Sequence, residues 1–484
     1  MCCPLLKSPM RTASDFDLEQ GCHATLKCHI VYTRSYIEVN KRKMEGAEVL
    51  ELYEIQYSDL MLLSSSCSHH QENMIMENLG PTGPGLLAIT NVPDASLFRR
   101  KLLPLASKLA LLGPEDRKRI LREHNLGSDV PLKNPDRNVS SFAMQLKYSQ
   151  GLESIETKPS HGVGSLLNLE NENICRISDF EDDEFDDLEN MFKALGFCMM
   201  ELGLCLARIC DRAIGGNELE QSLLESCAAK GRLIHYHSIV DSLVLREAGR
   251  RKGSSKRHAN NYSRSEQRLS KVANLDTNVN EVRSYDMQAN LWQQWHYDYA
   301  IFTVLTDPMF LLASQPTTAN NEFSISRYQE CASPSGHSYL QIFHPNKSKV
   351  LTVKSSPESL IIQVGESADI LSKGKLRSTL HCVCRPARLD NICRETFVVF
   401  LQPAWSKTFS ISDYPMEHYN PVCQPLEQAE ERNVADQDQN ALTQEIQKIV
   451  PPLSARFKDG MTFAEFSRET TKQYYGGSGL QSNR

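Results

Sequence analysis

The sequence predicts a mainly β fold of the sandwich or barrel type with flanking helices, and three observations support this. Apolar runs of strand length recur in the second half of the chain, separated by clusters of Gly, Pro, Ser and Asn. Helical periodicity is clearest in the first half and near the C-terminus. With 484 residues, 40% of them hydrophobic and 23% charged, the chain is long enough to bury a large core.

The N-terminal half is expected to combine two strands with several helices. Residues 1 to about 50 carry mixed charge without clear periodicity, so they are expected to be a poorly ordered extension. The stretches Leu50–Leu63 and Gly85–Pro93 are predicted as strands. Helical spacing follows over Ala95–Leu112 and, opened by a proline, over Pro114–Glu123.

A long helix is predicted to begin near an acidic run. One helical stripe of apolar residues consists of Phe185, Leu188, Phe192, Leu195, Met199 and Leu202. The acidic run Glu181–Asp187 could bind a cation, but acids at a helix start are favoured by the helix dipole. We therefore interpret the run as a solvated helix start, and the Met and Cys residues on the stripe as core.

The second half contains the strands and the C-terminal helix. The predicted strands are Tyr299–Leu305, Tyr339–Phe343, Val350–Val353, Leu360–Val364 and Thr396–Leu401. A capping box over Thr462–Glu465 predicts a helix that reaches Tyr475 before two glycines end it. This tail is expected to dock back onto the body of the protein.

Composition restricts the classes of function. A net charge of -7 disfavours bulk nucleic-acid binding, because counterion release would contribute nothing. The 15 cysteines are odd in number and have no repeated spacing, which indicates a reducing compartment. The sequence shows neither the long apolar run of a membrane helix nor a secretory signal. A cytoplasmic location is expected, and a nuclear one stays open.

A metal-binding pair is predicted in His296-Tyr297-Asp298, which we interpret as opening a strand. Side chains two positions apart on a strand share a face, so both could reach one ion. About 1.7 such His-x-acid pairs are expected by chance, and His70-Gln71-Glu72 is the expected decoy. The decoy lies in a polar Ser-rich stretch, whereas His296 adjoins an apolar strand.

The third metal ligand is predicted to be His381, inside a strand-like segment with a polar flank. Two imidazoles and one carboxylate leave one face of an octahedral iron(II) open, as oxygen chemistry requires. Zinc would usually take a closed tetrahedron. Cys382 and Cys384 could offer thiolates, but they share the strand face opposite His381 and are predicted to be packing residues.

The segment Ile361–His381 resembles the stretch before the distal histidine in 2-oxoglutarate and iron(II)-dependent dioxygenases related to isopenicillin N synthase. The resemblance extends from Leu50 to Tyr475 and is strongest between Trp295 and Phe400. It implies a double-stranded β-helix, or jelly-roll, core with an N-terminal helical region and a C-terminal helix, and with iron at its open end.

The resemblance also implies a cosubstrate site. Arg394-Glu395-Thr396 resembles the Arg-x-Ser/Thr pair that holds the distal carboxylate of 2-oxoglutarate, and a planar guanidinium suits that task. Tyr236 is a further candidate for cosubstrate contact, whereas Arg385 and Arg388 are less favoured anchors. No catalytic residue beyond the metal ligands is predicted.

Three departures from the family pattern stand out. Asp298 and His381 are farther apart than is usual, with an apparent insertion between Ala313 and Gly336 that is expected to border the substrate entrance. Ala300 replaces the family glycine after the acidic ligand. His235 and His237 flank Tyr236, but on a strand they point away from it and are predicted to be structural.

The predicted organisation has five parts: an extension over 1–50, an α/β region over 51–248, a basic flexible insertion over 249–284, the jelly-roll core over 285–405, and a C-terminal tail and helix over 406–484. The basic insertion could be a nuclear-import or nucleic-acid patch. It lacks aromatics at stacking spacing, so a solvated insertion is favoured.

The implied activity is oxidation of a small organic substrate, by hydroxylation or desaturation, with 2-oxoglutarate converted to succinate and CO2. Iron(II), 2-oxoglutarate and O2 are the expected partners, with ascorbate as a candidate reductant. The chain is expected to be a monomer without membrane or nucleic-acid partners. Two alternatives stay open: a catalytically silent interaction protein that keeps the metal site, and an oxidase of this fold that does not consume 2-oxoglutarate.

Overall fold

The structure is a computed structural model, which describes residues 48–66, 68–132, 134, 137–147, 182–254, 291–313, 317–319, 322–324, 328–347, 349–387, 389–412, 414–415 and 449–475. The predicted extension over 1–50 and the basic insertion over 249–284 lie mostly outside the described residues. The same holds for Arg388 and for much of the tail over 406–484. Of the predicted insertion between Ala313 and Gly336, three short strands are described.

The described residues form seventeen strands, and many of them pair with strands that are distant in the sequence. The strands are β1 Glu48–Glu51, β2 Glu54–Gln56, β3 Leu86–Thr90, β4 Gly127–Ser128, β5 Val139–Lys147, β6 Ala228–Tyr236, β7 Leu291–His296, β8 Phe302–Thr306, β9 Met309–Ala313, β10 Thr317–Ala319, β11 Glu322–Ser324, β12 Tyr328–Cys331, β13 Leu340–His344, β14 Lys349–Lys354, β15 Leu360–Val364, β16 His381–Cys384 and β17 Ile392–Leu401.

Two mixed sheets organise these strands. The larger has the order β2-β3-β15-β8-β17-β6-β5-β4, with β9 pairing β17 and β12 beside it. The smaller has the order β1-β14-β13-β16-β7, and β10 pairs β11 separately. Pairing is antiparallel except for β1 with β14 and β2 with β3. The sheets do not close into a barrel. Consecutive strands such as β6, β7 and β8, and again β15, β16 and β17, alternate between the two sheets, which with the flanking helices confirms the predicted mainly β, jelly-roll class.

The larger sheet is buried on both faces, and alternating residues divide between two apolar clusters. Phe397 and Val399 of β17 pack on the helical side, whereas Val398 faces the smaller sheet. Strands β3 and β15 alternate in the same way. Because the side-chain period of a strand is two, each central strand contributes to both cores. The space between the two sheets is where the site lies.

Several of the helices, among them Pro104–Leu111 and Leu188–Ile214, cover the outer face of the larger sheet. The described helices are Tyr57–Ser65, His69–Leu79, Ala95–Leu102, Pro104–Leu111, Pro114–Glu123, Leu188–Ile214, Glu218–Ser226, Ile239–Ser254, Glu366–Leu371, Leu453–Arg456 and Phe463–Tyr475. The long helix predicted from the Phe185 stripe is therefore confirmed as Leu188–Ile214, 27 residues long. No helix within the described ranges is long and apolar enough to cross a membrane.

One strand prediction was wrong in part. The stretch Leu50–Leu63 contains only short strand segments and then enters the helix Tyr57–Ser65. Leu60 and Leu63 of this helix are buried against the long helix Leu188–Ile214, so tertiary packing decided the local structure. The predicted strand Leu360–Val364 has the observed bounds, and Gly85–Pro93 contains β3.

The C-terminal helix docks as expected. The backbone N–H of Glu465 donates to the Thr462 hydroxyl at 3.3 Å, and that of Thr462 donates to the Glu465 carboxylate at 2.9 Å, which confirms the capping box. Phe463 and Phe466 are fully buried. The buried Arg456 donates to Glu366 at 2.8 Å, which ties the C-terminal segment to the helix Glu366–Leu371.

Candidate functional site

Two histidines meet where strands β7 and β16 pair. His296 ends β7 and His381 begins β16, and the two are direct register partners, with ring centroids 4.2 Å apart. Both are nearly buried, at 6% exposure. Residues opposite each other on antiparallel strands have neighbouring side chains, so the sheet register brings the two imidazoles together.

Asp298 reaches the histidines from a loop, and the reason given for its orientation was wrong. His296 ends its strand and Asp298 lies in the following connection to β8, so alternation along one strand does not aim it. Instead the Thr303 hydroxyl donates to Asp298 Oδ2 at 2.7 Å, and the Gln363 amide donates to the same oxygen at 3.2 Å. These two donors fix the carboxylate.

Gly365 allows the Asp298 loop to approach so closely. A Cβ at Gly365 would lie 2.2 Å from the Ala300 carbonyl oxygen. The Gly365 N–H donates to the Ile301 carbonyl at 3.0 Å, and the Glu366 N–H donates to the Asp298 carbonyl at 2.8 Å. The start of the helix Glu366–Leu371 therefore holds the loop. Ala300, which replaces the family glycine, fits here as a fully buried residue.

The three candidate ligands converge. Asp298 Oδ1 lies 3.7 Å from His296 Nε2, and Asp298 Oδ2 lies 3.8 Å from His381 Nε2. The ligand atoms of all three residues lie within 4.8 Å of one another. His296 Nδ1 donates to the Gln294 carbonyl at 2.7 Å and His381 Nδ1 to the Thr379 carbonyl at 3.0 Å, which makes Nε2 the acceptor nitrogen of each ring. His296 Nε2 faces the Gln293 amide at 2.9 Å, and a cation would take the place of that contact.

The protonation state of His296 also suits a metal. Burial, and next the nearby His381, lower the pKa of His296 to about 4. The imidazole is therefore neutral at neutral pH, as a metal ligand must be. Two imidazoles and one carboxylate are a donor set that fits iron(II) with open positions remaining.

Arg394 is nearly fully buried on β17 and faces the same cavity. Its Nε donates to the Ser338 carbonyl at 3.2 Å, and its guanidinium lies 5.2 Å from the centre of the Tyr236 ring, its register partner. In the described part of the chain no residue pairs with its terminal nitrogens. They are thus available for a carboxylate, which a guanidinium can bind in bidentate fashion.

Thr396 and Tyr236 line the cavity beside Arg394, but each already has a protein partner. The Thr396 hydroxyl lies 3.3 Å from the Thr306 hydroxyl, and the Tyr236 hydroxyl donates to Gln293 Oε1 at 2.8 Å. Gln293 Nε2 in turn lies 2.9 Å from His296 Nε2. A chain of polar contacts therefore links the predicted cosubstrate end with the histidines.

The cavity has a volume of about 340 Å³ and lies between the two sheets. All six predicted site residues line it: His296, Asp298, His381, Arg394, Thr396 and Tyr236. Thr470, Thr471 and Tyr474 of the C-terminal helix form part of its wall. None of the described residues in the predicted insertion between Ala313 and Gly336 lines it, so its proposed place at the entrance stays a prediction.

Sequence reasoning missed several lining residues. Gln293 and Gln363 hold the ligands, yet an amide on a strand has no distinctive spacing. Lys230, Arg232 and Asp129 also line the cavity. The alternation of Lys230, Arg232, Ile234 and Tyr236 along β6 was the one available signal, because it puts two cations on the face of the predicted cosubstrate residue.

The residues weighed as alternatives take other positions. Glu72 of the decoy pair accepts from Arg212 at 2.7 Å, in the helix His69–Leu79 and outside the cavity. Arg385 donates to the His237 carbonyl at 3.2 Å and does not line the cavity either. Cys382 and Cys384 are buried with their sulfurs 3.9 Å apart, on one face of β16.

His235 and His237 belong to a second buried cluster on the other face of β6. Together with Asp241, Cys393 and Glu395 they supply two overlapping sets of three potential metal-ligating atoms, each set within 4.8 Å. Here, however, His235 lies between two carboxylates, with Nδ1 2.7 Å from Glu395 and Nε2 3.3 Å from Asp241. We interpret this cluster as an internal ionic network that stabilises the fold.

One family model matches part of the chain. Residues 306–403 match the family model of the 2OG-Fe(II) oxygenase superfamily, which confirms the resemblance seen in the sequence. This segment is thus similar to the domain of 2-oxoglutarate and iron(II)-dependent dioxygenases, a class of oxidoreductases. The matched range includes His381 and Arg394, whereas His296 and Asp298 precede it.

Several solved structures are similar to a large part of the chain, at low sequence identity and low TM-score. A full-length Neurospora crassa protein, in complex with alpha-KG and 5-formyluracil, is 13% identical with a TM-score of 0.40, over 81% of this chain and 95% of that one. DAO1 of Arabidopsis thaliana, a dioxygenase for auxin oxidation with 2-oxoglutarate, is 13% identical with a TM-score of 0.39, over 74% and 94%.

A third structure, JOX2 in complex with 2OG, Fe and JA, is 12% identical with a TM-score of 0.41, over 75% of this chain and 78% of that one. Likenesses at these scores carry no information about the substrate of this chain. Among curated proteins, no sequence matches this chain.

Proposed function

We propose that this chain catalyses the 2-oxoglutarate-dependent oxidation of a small organic substrate, by hydroxylation or desaturation, with release of succinate and CO2. One observation carries the proposal. His296, Asp298 and His381 converge in a cavity that also receives the guanidinium of Arg394. A metal-ligand set and a carboxylate anchor in one buried space are what this chemistry requires.

His296 and His381 would hold iron(II) through Nε2, and Asp298 would hold it through a carboxylate oxygen. The bound metal supplies activation of O2 and a binding site for the keto acid. The carbonyls of Gln294 and Thr379 fix the orientation of the imidazoles, and Thr303 fixes the carboxylate. Hydrogen-bond partners of metal ligands normally strengthen metal affinity, because they restrict the conformations of the ligand side chains before the metal binds.

Arg394 would bind the distal carboxylate of 2-oxoglutarate, with the Thr396 hydroxyl as a second donor. The arginine is 1% exposed, so an ion pair formed there is little screened by solvent. Tyr236, whose ring lies under the guanidinium, would limit the orientations that Arg394 can take. Its hydroxyl is engaged with Gln293, so we assign Tyr236 a positioning role.

The decisive experiment measures succinate formed from 2-oxoglutarate by the iron(II)-loaded chain, in air and without oxygen, with ascorbate added as reductant. We expect slow oxygen-dependent succinate release without substrate, and faster release with the correct one. Arg394→Met should abolish the release, whereas Arg100→Gln, at an exposed arginine outside the cavity, should not change it.

The two alternative functions predict other outcomes. A silent interaction protein would show neither succinate release nor metal-dependent binding of 2-oxoglutarate. An oxidase that does not use the keto acid would consume O2 at a rate unaffected by Arg394→Met. Screening metabolites for a mass gain of one oxygen or a loss of two hydrogens would then separate hydroxylation from desaturation.

Localisation and assembly form part of the same proposal. The described cysteines are all free thiols, which supports a reducing compartment such as the cytoplasm. We propose that the chain works there as a monomer on a small molecule and O2, without nucleic-acid or membrane partners. Fractionation of cells and size-exclusion chromatography with light scattering would test these two points.

A further inference from the structure

The cavity extends along two neighbouring strands away from the predicted cosubstrate end. Tyr236 of β6 is the register partner of Arg394 of β17, and Arg232 is the partner of Val398. Both strands direct every second residue into the cavity. Tyr236 and Arg232 are four residues apart on β6. At about 3.3 Å per residue, Arg232 therefore lies about 13 Å along the strand from the register partner of Arg394. This far end is where a substrate, not 2-oxoglutarate, would lie.

A group of three charged side chains lines this far end. Asp129 Oδ2 lies 2.6 Å from Arg232 Nε and 3.0 Å from Lys230 Nζ. Apart from the candidate metal ligands and Arg394, these are the charged side chains among the described residues that line the cavity. Two cations therefore face one carboxylate, which leaves a surplus of one positive charge.

Arg232 is oriented for binding. Its guanidinium carbon lies 4.8 Å from the centre of the Phe400 ring, and its Nε is held by Asp129. Within the described ranges its terminal nitrogens have no hydrogen-bond partner. A guanidinium fixed by an aromatic ring and an ion pair loses little further entropy when it binds a carboxylate. Its side chain is only 18% exposed, so solvent screening is reduced.

Apolar side chains form a large part of the cavity wall beside this charged group, together with polar ones such as Thr303 and Thr396. Ile234, Leu305, Leu340, Val383 and Val398 line it. A ligand bound at the charged group would therefore gain from an apolar body that packs on these side chains. The surplus of one positive charge is offset by one negative charge and not by the two of a phosphate monoester.

We propose that Asp129, Lys230 and Arg232 form a carboxylate subsite, and that the substrate is an organic monocarboxylic acid with an apolar body. Arg232 binds the carboxylate, Lys230 adds charge, and Asp129 holds both cations in place. The proposal rests on the proposed function, since it assigns the substrate class of the same cavity. It makes Arg232 a specificity-determining residue.

The test compares matched acids and amides. Phenylacetate and phenylacetamide, together with 3-phenylpropionate and its amide, are titrated by calorimetry into protein loaded with Mn²⁺ and saturated with 2-oxoglutarate. Mn²⁺ takes the same oxygen and nitrogen ligands, and the keto acid keeps the probes away from Arg394. We expect the acids to bind about tenfold more tightly than the amides, as a charge-assisted hydrogen bond would give.

Three variants make the test specific. Arg232→Gln should remove the preference for acids, and Asp129→Asn should increase it because a competing carboxylate is lost. Arg100→Gln, at an arginine paired with Glu358 on the surface, is the matched control and should change nothing. Equal affinity for acid and amide in the unaltered protein, including no measurable binding of either, overturns the proposal. So does an acid preference that survives Arg232→Gln.

A titration of 2-oxoglutarate separates this proposal from the proposed function. If 2-oxoglutarate does not bind the metal-loaded protein, the proposed function itself fails. If it binds and the acid preference is absent, only the carboxylate subsite fails. Weakening of 2-oxoglutarate binding by Arg232→Gln as severe as that caused by Arg394→Met would also overturn the proposal, because Arg232 would then serve the cosubstrate.

Discussion

The two faces of strands β6 and β17 carry buried polar groups with opposite arrangements. On one face, Tyr236 and Arg394 are register partners that look into the cavity. One residue along each strand, His235 and Glu395 are register partners on the opposite face, which does not line the cavity and is called the sealed face below. His235 Nδ1 lies 2.7 Å from Glu395 Oε1. Arg394 has no carboxylate partner within hydrogen-bond distance among the described residues, whereas His235 lies between two. The first face is thus arranged for a ligand, and the second for the stability of the protein itself.

This comparison predicts that substitutions on the two faces have separable effects. On the cavity face, binding should suffer and stability should change little. On the sealed face, stability should suffer and binding should persist.

Replacing a candidate metal ligand should have the largest effect. We expect His381→Ala to lower iron(II) affinity by more than about 100-fold, because a lost ligand costs more than a lost partner of a ligand. Metal content after dialysis would measure this. The free energy of unfolding of the metal-free variant should stay within about 1.5 kcal/mol of the unaltered protein. Retention of stoichiometric iron would exclude His381 as a ligand.

The sealed face should respond in the opposite way. His235→Ala leaves Asp241 and Glu395 buried without their shared cation, which should lower the free energy of unfolding by about 3–5 kcal/mol. Urea unfolding would measure this, with metal affinity as the internal control. A loss below about 1 kcal/mol, or a loss of iron binding in the folded variant, would contradict the division between the faces.

Arg394→Met should weaken 2-oxoglutarate binding by about 100-fold, since a bidentate pair with a carboxylate is lost in a poorly screened site. Stability should change little, because Arg394 has no buried salt-bridge partner in the described ranges and methionine fills a similar volume. Calorimetric titration of 2-oxoglutarate in the presence of Mn²⁺ tests the predicted loss of binding. Urea unfolding tests the predicted stability. A large loss of stability with intact binding would assign Arg394 to the structural side.

The last prediction concerns the change in stability over a single pH unit. Burial opposes the charge on His235, but Glu395 and then Asp241 more than offset this and raise its pKa to about 9. An unfolded histidine has a pKa of about 6.5, so this stabilisation is complete below pH 6.5 and is lost as the pH rises towards 9.

The free energy of unfolding changes by at most about 1.4 kcal/mol per pH unit when one proton is released. Urea unfolding of the unaltered protein and of His235→Ala at pH 6, 7.5 and 9 isolates the contribution of His235 to this pH dependence. The difference in stability should be largest at pH 6. A difference that grows with pH would show that His235 is neutral in the folded protein.

The sequence by itself determined the residue types at the site and much of the local structure. Leu360–Val364 was predicted with the observed bounds, because its continuous apolar run between polar flanks fits a strand buried on both faces. His296, Asp298, His381 and Arg394 were predicted because their chemistry is rare in combination and resembles one family. The long helix and the C-terminal capping box likewise depend on local patterns.

Tertiary structure alone decided how these residues meet. His296 faces His381 because β7 pairs with β16, and Asp298 is aimed by Thr303 and Gln363. The carboxylate subsite depends on Asp129 packing beside β6, a contact that no local spacing encodes. Helix Tyr57–Ser65 formed where a strand was predicted, since burial against a distant helix outweighed local preference. Contacts between distant segments are set by the packing free energy of the whole fold, which a short window of sequence does not contain.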